Sequence, residues 1–148
     1  MSQPSLFRDV RGSSATANID GGSRGNPGPA GYGVRIEQAD GTIVELKEAL
    51  DISTNNVAEY RGLLAALAWA TQHGIARLHV RSDSLLLVKQ MQGEYRVKHP
   101  GLQPLHEEAR GLARQIGRVT FEHVRRELNK EADRLANEAM DDAAASQT

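Results

Sequence analysis

The chain has 148 residues, of which 39% are hydrophobic, and its 18 basic and 19 acidic side chains give a formal net charge of −1. This size fits one domain with a single hydrophobic core. The charge balance excludes a uniformly basic nucleic-acid binder, so any contact with a polyanion is expected to be local. The absence of cysteine excludes disulfides, thiolate metal sites and a cysteine nucleophile.

The hydropathy pattern predicts neither a targeting segment nor a membrane span. Residues 1–14 contain no apolar core of signal-peptide length, and the longest apolar run, residues 63–70, is far too short to cross a bilayer. We therefore expect a soluble, cytoplasmic and monomeric protein with no membrane contact.

The first half of the chain predicts an antiparallel meander. Alternation of polar and apolar residues favours strands over residues 15–20, 31–37 and 42–50. Between the first two strands lies a glycine- and proline-rich stretch, residues 21–33, which we interpret as a turn. Its length of roughly a dozen residues exceeds the usual two to five of a hairpin loop.

The period then changes to that of a helix. Apolar residues fall at helical spacing from Asn56 to the closing Gly74. The rest of the chain predicts, in order, a strand over 76–82, a helix starting near Ser84, a helix over 102–116, a strand over 119–124 and a helix from Asn129 to about Met140. This order predicts an α/β domain with a mixed five-stranded sheet, three antiparallel strands followed by two parallel ones, flanked by helices.

The two ends of the chain are predicted to lie outside this domain. Residues 1–14 are mixed and polar, and residues 141–148 are rich in alanine, serine and acid. We expect a flexible segment at 1–14, one domain at 15–140 and a disordered tail at 141–148.

Four acids lie at the ends of predicted elements: Asp20, Glu59, Asp83 and Asp133. Each taken alone has an ordinary structural interpretation, as a turn residue, a capping-box glutamate after Asn56, a helix cap, or an acid in a first helical turn. Carboxylates that converge from separate elements are also the ligands that Mg²⁺ prefers. Two such ions about 3.5–4 Å apart can catalyse cleavage of a phosphodiester.

The sequence around these acids resembles a known family. Residues 18–33, NIDGGSRGNPGPAGYG, look like the first-strand signature of type 1 ribonuclease H. The segments TNNVAE at 54–59, RSDS at 81–84 and NKEADRLA at 129–136 are similar to its other three motifs, in the same order. The resemblance spans roughly residues 15–140, and such a long first motif is highly specific. It implies a ribonuclease H-like fold.

The resemblance also implies an activity and roles for the acids. Enzymes of this family cleave the RNA strand of RNA/DNA hybrids and leave 5′-phosphate and 3′-hydroxyl ends. By this resemblance two Mg²⁺ ions, with Mn²⁺ as a substitute, would be bridged by Asp20. Glu59 and Asp83 would complete the site of one ion, and Asp133 would help to hold the other.

Substrate contacts are implied in the same way. A glycine-rich backbone allows close approach to a shallow groove, where the 2′-hydroxyl of RNA is sensed. Thr54 matches the residue that contacts a phosphate of the DNA strand in relatives. The implied substrate-binding residues are Gly21, Gly22, Ser23, Arg24, Asn26, Thr54, Asn55 and Asn56.

The sequence departs from many relatives in three places. The segment before the last helix contains no histidine, as in a short-loop bacterial and archaeal branch, and Arg126 is the candidate catalytic substitute, although an arginine cannot act as a general base near neutrality. His123 is interpreted as a structural residue of the fifth strand. Residues 93–99 carry few basic groups in place of a basic protrusion, and Leu85 stands where relatives have a glutamine that contacts bases.

Three other interpretations stay open. The chain could be a non-catalytic module that binds hybrids or RNA, although none of the four acids is missing. It could be a nuclease of the same fold with another substrate, such as double-stranded RNA, or an exonuclease. It could also be an α/β domain without catalysis.

Overall fold

The computed structural model describes residues 13–147. The strands are β1 (Ser14–Ser23), β2 (Gly28–Gln38), β3 (Ile43–Ser53), β4 (Arg77–Ser82) and β5 (Arg118–His123). The helices are α1 (Asn55–Gln72), α2 (Leu85–Met91), α3 (Gln103–Ile116) and α4 (Lys130–Ala145), and a 3₁₀ turn spans Arg126–Leu128. Across residues 13–147, the helices are all too short or too polar to pass through a membrane.

The strands form one mixed sheet in the order β3-β2-β1-β4-β5. β1 and β3 pair antiparallel with β2, whereas β4 pairs parallel with both β1 and β5. The predicted α/β fold, with three antiparallel strands followed by two parallel ones, is therefore confirmed. Because the parallel strands β1 and β4 end at the same edge, residues that follow them meet there.

Alternation along the strands gives the sheet two different faces. The odd-numbered residues Ala15, Ala17 and Ile19 of β1 are buried in a core with Leu63 and Leu67 of α1. The next residues along the strand point the opposite way. α1, with α3 packed outside it, covers the first face, and α4 covers part of the second face against β1, β2 and β3.

The single tryptophan, Trp69, belongs to this core. Trp69 is 8% exposed, and its ring stacks on that of His73 at a centroid distance of 4.2 Å. It lies on α1.

Glycines in β1 and β2 bring the two helices very close to the sheet. A Cβ on Gly21 would lie 2.5 Å from the backbone of Ala58 in α1. On the other face, a Cβ on Gly33 would lie 2.5 Å from the backbone nitrogen of Ala136, and one on Gly31 would lie 2.5 Å from the Cβ of Ala139. Any side chain at these three positions would push a helix away from the sheet.

The prediction of a long turn over residues 21–33 is wrong. β1 continues to Ser23 and β2 begins at Gly28, so only residues 24–27 connect them. Gly21 pairs with Tyr32 and Gly22 pairs with Gly31. Glycine weakens an isolated strand, but here the missing side chains are replaced by the surfaces of α1 and α4.

The last helix extends beyond its predicted end. α4 continues to Ala145, so residues 141–145, expected in a disordered tail, are helical. Ala143 is only 1% exposed, and alanine is the best helix former. The flexible segment predicted at 1–14 lies outside the described residues, except that Ser14 begins β1. Thr148 also lies outside them.

The close helix contact can be tested with a pair of alanine substitutions. Gly33→Ala should lower the free energy of unfolding by about 1–3 kcal/mol, because its Cβ meets the backbone of α4. Gly111→Ala, inside α3, is the matched control: its Cβ meets nothing closer than the Arg114 side chain at 4.0 Å, so it should be neutral or stabilising by up to about 1 kcal/mol. Urea unfolding measures both, and equal effects would contradict the packing argument.

Candidate active site

Each of the four acids is placed by a different element of the fold. Asp20 lies near the end of β1, and Asp83 follows β4 directly. The pairing of Ile19 with Ser82 in the two parallel strands makes these acids neighbours. Glu59 is carried by α1 beside the close contact with Gly21, and Asp133 lies in the first turn of α4.

The structure brings these side chains together, as the sequence predicts. Carboxylate oxygens of Asp20, Glu59 and Asp83 all lie within 4.8 Å of one another. The side chain of Asp133 is hydrogen-bonded to that of Asp20. All four acids line one open concavity of about 590 Å³. Four carboxylates from the ends of two strands and from two helices thus share a small volume.

A buried asparagine fixes α4 to β1. Asn129 is 1% exposed, and its Nδ2 donates a hydrogen bond to the Ile19 carbonyl at 2.8 Å. Its Oδ1 accepts a bond from Asn18 Nδ2 at 2.9 Å. The sequence predicts Asn129 as a helix cap, and it does occupy that position, but its side chain makes no capping bond. It instead holds the start of α4, and with it Asp133, next to Asp20.

The start of α1 also differs from the sequence interpretation. The helix cap is Thr54, whose Oγ1 accepts a bond from the Val57 amide at 3.2 Å. Glu59 is therefore not the capping-box residue after Asn56. Its side chain is free to meet Asp20 and Asp83, and it is hydrogen-bonded to Ser84, which also caps α2.

Burial and crowding strongly favour protonation of the cluster. Burial, then the charge of Asp83 and the hydrogen bond with Asp133, raise the pKa of Asp20 to about 8. Burial and the charge of Asp83 raise the pKa of Glu59 to about 7, against the lowering effect of Ser84. The pKa of Asp83 is also raised, chiefly by burial. A cation among these groups would take the place of the protons.

A basic rim faces the acids. Arg126 is 84% exposed, and its Nε lies 4.0 Å from Asp83 Oδ2. His123 and Arg125 line the same concavity, and the positive charges of Arg126 and His123 lower the pKa of Asp83 against the effect of burial. Sequence reasoning treated His123 as structural. In the structure it ends β5 and pairs with Ser82, at the same edge of the parallel sheet as Asp83.

The implied substrate-binding residues divide into two groups. Gly21, Asn55 and Asn56 line the acidic concavity. Asn55 also ties α1 to the β1–β2 connection, because its Oδ1 accepts a bond from the Ser23 amide at 2.8 Å and its backbone amide donates to Asn26 Oδ1 at 3.0 Å.

The remaining implied residues are not among those that line the acidic concavity. Arg24 forms an ion pair with Asp141 at 2.7 Å, which links the β1–β2 connection to α4. Gly22 lies against Met140, and Thr54 caps α1. Leu85, which sequence reasoning singled out, and Leu86, which it did not, are 46% and 41% exposed and form an apolar part of the concavity wall.

Comparisons with known proteins agree with this geometry. The family described as reverse transcriptase-like matches residues 18–139. The bifunctional protein Rv2228c of Mycobacterium tuberculosis is 54% identical over 129 residues, which are 86% of this chain and 35% of the relative. Ribonuclease HI of Halobacterium salinarum is 42% identical over 134 residues, which are 90% of this chain and 67% of the relative.

Solved structures show the same likeness. The N-terminal ribonuclease H domain of Rv2228c superposes with a TM-score of 0.88 at 50% identity, covering 91% of this chain and 99% of that one. LC11-RNase H1, isolated from compost and solved in complex with an RNA/DNA hybrid, superposes with a TM-score of 0.82 at 40% identity, covering 88% and 99%.

These matches define the class of the domain as ribonuclease H-like. The chain belongs to the type 1 ribonuclease H family. It spans about a third of the length of the mycobacterial relatives.

The raised pKa values predict a pH-dependent stability. The folded protein holds the proton of Asp20 with a pKa of about 8, against an ordinary value of 3.8. The charged carboxylate therefore lowers the stability increasingly as the pH rises from about 4 to about 8. At about pH 7.5 with a chelator present, Asp20→Asn should raise the free energy of unfolding by about 1–3 kcal/mol.

Urea unfolding at two pH values measures this effect. The gain should shrink at about pH 4.5, where unfolded Asp20 is itself largely protonated. Glu127→Gln, at an exposed position of the 3₁₀ turn, is the control and should change stability little. A gain of the same size at both pH values would contradict the assignment to Asp20.

Proposed function

We propose that this chain is an endoribonuclease that cleaves the RNA strand of RNA/DNA hybrids by two-metal-ion hydrolysis. The products would carry 5′-phosphate and 3′-hydroxyl ends. The observation that carries the proposal is the convergence of Asp20, Glu59, Asp83 and Asp133 in one open concavity. The complex of LC11-RNase H1 with a hybrid supports the choice of substrate. The cytoplasmic location and the monomeric state stay predictions.

The acidic cluster fits divalent cations. Oxygens that share one Mg²⁺ at 2.0–2.1 Å lie at most about 4.2 Å apart, and the three clustered carboxylates are within 4.8 Å. Small side-chain movements would bring them into range. The donor set consists of carboxylate oxygens, which suit Mg²⁺ and Mn²⁺ rather than zinc or copper.

Each acid has a proposed place in holding two ions. Asp20 is central because it contacts both Asp83 and Asp133 electrostatically, so it is proposed to bridge the ions. Glu59 and Asp83 would complete one site, and Asp133 would contribute to the other. When bound, the ions supply charge neutralisation at the scissile phosphate and lower the pKa of a water nucleophile.

Other groups of this chain would position the substrate. The exposed guanidinium of Arg126, next to Asp83, is placed to hold a phosphate oxygen, but it stays protonated and cannot accept a proton. Gly21, Asn55 and Asn56 also line the concavity, and Gly21 is partly exposed there. We propose that they select the RNA strand, and that Gly22, Ser23, Arg24, Asn26 and Thr54 shape and extend this surface.

A cleavage assay tests the proposal. In the presence of Mg²⁺ or Mn²⁺, the protein should cut a labelled RNA/DNA hybrid, and Asp20→Asn should lower the rate by roughly a thousand-fold or more, because transition-state charge is no longer neutralised. Product ends can be read by phosphatase and ligation treatment.

Two further substrates define the outcome. A double-stranded DNA of the same sequence should stay intact, and a double-stranded RNA shows whether the substrate range is wider. An intact hybrid with metal present would contradict the proposal, whereas tight binding without cleavage would favour the non-catalytic module.

The role of Arg126 predicts a separate kinetic effect. Arg126→Ala should lower kcat by about 3–30-fold through loss of a charge that steadies phosphate, and Arg126→Lys should retain part of it. The pH profile should keep its shape because arginine does not titrate near neutrality. Lys130→Ala, at an exposed position at the start of α4, is the control. A change confined to the apparent affinity would contradict a role at the scissile phosphate.

A further inference from the structure

A second concavity lies on the same face of the sheet as the acidic site. It has a volume of about 540 Å³ and is lined by residues of β1, β2, β4, β5 and the β2–β3 turn, without a contribution from any helix of the described chain. Its four arginines and one histidine define what we call the arginine face: Arg35, Arg77, His79, Arg81 and Arg118.

The strand register arranges these groups in rows. Arg77 pairs with Arg118, His79 pairs with Thr120, and Arg81 pairs with Glu122 across the parallel strands β4 and β5. Within β4 the three basic residues alternate with the buried Leu78 and Val80, so all three point to the same side. Adjacent strands lie about 4.8 Å apart, so the paired residues Arg77 and Arg118 are direct neighbours on this face.

The charges of the arginine face are not balanced. The carboxylate of Glu37 lies within ion-pair distance of Arg35, and that of Glu122 lies within ion-pair distance of both His79 and Arg81. No ion pair joins Arg77 or Arg118 to a carboxylate anywhere in residues 13–147. Both are exposed. Like charges directly opposite each other destabilise a sheet, so a bound anion would stabilise this row.

The position of the face favours a long polyanion over a small one. Asn18 lines the face, and Asp20, two residues further along β1, lines the acidic concavity. The bond from Asn18 to Asn129 marks the boundary between them. Asp83 lies six residues after Arg77, a distance of about 20 Å along an extended strand. A nucleic-acid strand of about six nucleotides, at 3.4 Å each, spans the same distance.

We propose that the arginine face binds the sugar–phosphate backbone of a nucleic acid about six nucleotides from the acidic site. Guanidinium forks match phosphate oxygens in a bidentate way. The neighbouring chain segment 1–12 carries Arg8, Asp9 and Arg11, so its charge is not complementary to the face. The identification of the bound strand as part of an RNA/DNA hybrid rests on the proposed function. The binding of a phosphate backbone by the arginine face does not depend on it.

Binding measurements with charge-reversal variants test the proposal. Arg77→Glu/Arg118→Glu is made in an Asp20→Asn background to prevent cleavage, and fluorescence anisotropy is recorded with a labelled hybrid of about 24 base pairs, roughly 80 Å long. The Kd should rise by about ten-fold or more. The slope of log K against log salt should become shallower by about 1–2, the value for two lost phosphate contacts.

A matched control separates local contact from net charge. Arg110→Glu/Arg114→Glu makes the same charge change on exposed positions of α3 and should alter the Kd by less than about three-fold. Arg77→Gln/Arg118→Gln serves as a milder version, and thermal unfolding verifies that each variant is folded. Equal effects of the two charge reversals, or an unchanged Kd and salt slope, would overturn the proposal.

Two additional probes keep this result separate from the proposed function. If the Asp20→Asn protein does not bind the hybrid, DNA and RNA duplexes of the same length test the face directly, and weaker binding by Arg77→Glu/Arg118→Glu would still support it. A polyglutamate peptide is the competing occupant. If the charge reversal abolishes peptide binding and leaves all three duplexes unaffected, the face serves an acidic protein partner and the proposal is wrong.

Discussion

The candidate site depends on how closely two helices approach the β1–β2 hairpin. The backbone of α1 touches Gly21, and that of α4 touches Gly31 and Gly33 from the other side. A methyl group at any of these positions would meet backbone or Cβ atoms at about 2.5 Å. The absence of side chains at these three glycines therefore lets α1 and α4 bring Glu59 and Asp133 close to Asp20. Glycine weakens a strand, but the packing of the two helices against these glycines offsets that loss of stability. The same packing holds the acids of the site together.

Crowding four acids at this point opposes folding unless protons or cations compensate. Burial raises the pKa of Asp20 to about 8 and that of Glu59 to about 7. Near neutral pH the cluster is therefore only partly ionised. The tight anchoring around it, through Asn129 and the pairing of β1 with β4, keeps the carboxylates together despite their repulsion. Clustered carboxylates whose pKa values are raised by burial and by one another are typical of functional sites.

Much of this arrangement could be predicted from the sequence, because it follows from local periodicity. Alternation in β4 and helical spacing in α1 gave the strands and helices, and with them the edge at which Asp20 and Asp83 meet. The predictions failed where the structure depends on contacts between elements that are distant in the sequence. Residues 21–33 look like a long turn unless α1 and α4 are known to fill the space above each glycine. Asn129 looks like an ordinary cap, although its side chain serves β1.

The same limit explains the residues at the rim and at the chain end. The place of His123 follows from its register beside Ser82, which strand prediction alone does not provide. The helical residues 141–145 were misjudged because an alanine- and acid-rich segment looks disordered until its alanines find a surface to bury.

The bond between Asn129 and β1 also has a consequence for biosynthesis. Asp20, Glu59 and Asp83 precede α4 in the chain, so they emerge from the ribosome first and can gather around the sheet. Asp133 joins them only when α4 docks and the Asn129 carboxamide reaches Ile19. A nascent chain stalled before that helix would carry three of the four carboxylates, so the acidic cluster becomes complete only after α4 has been synthesised and has docked.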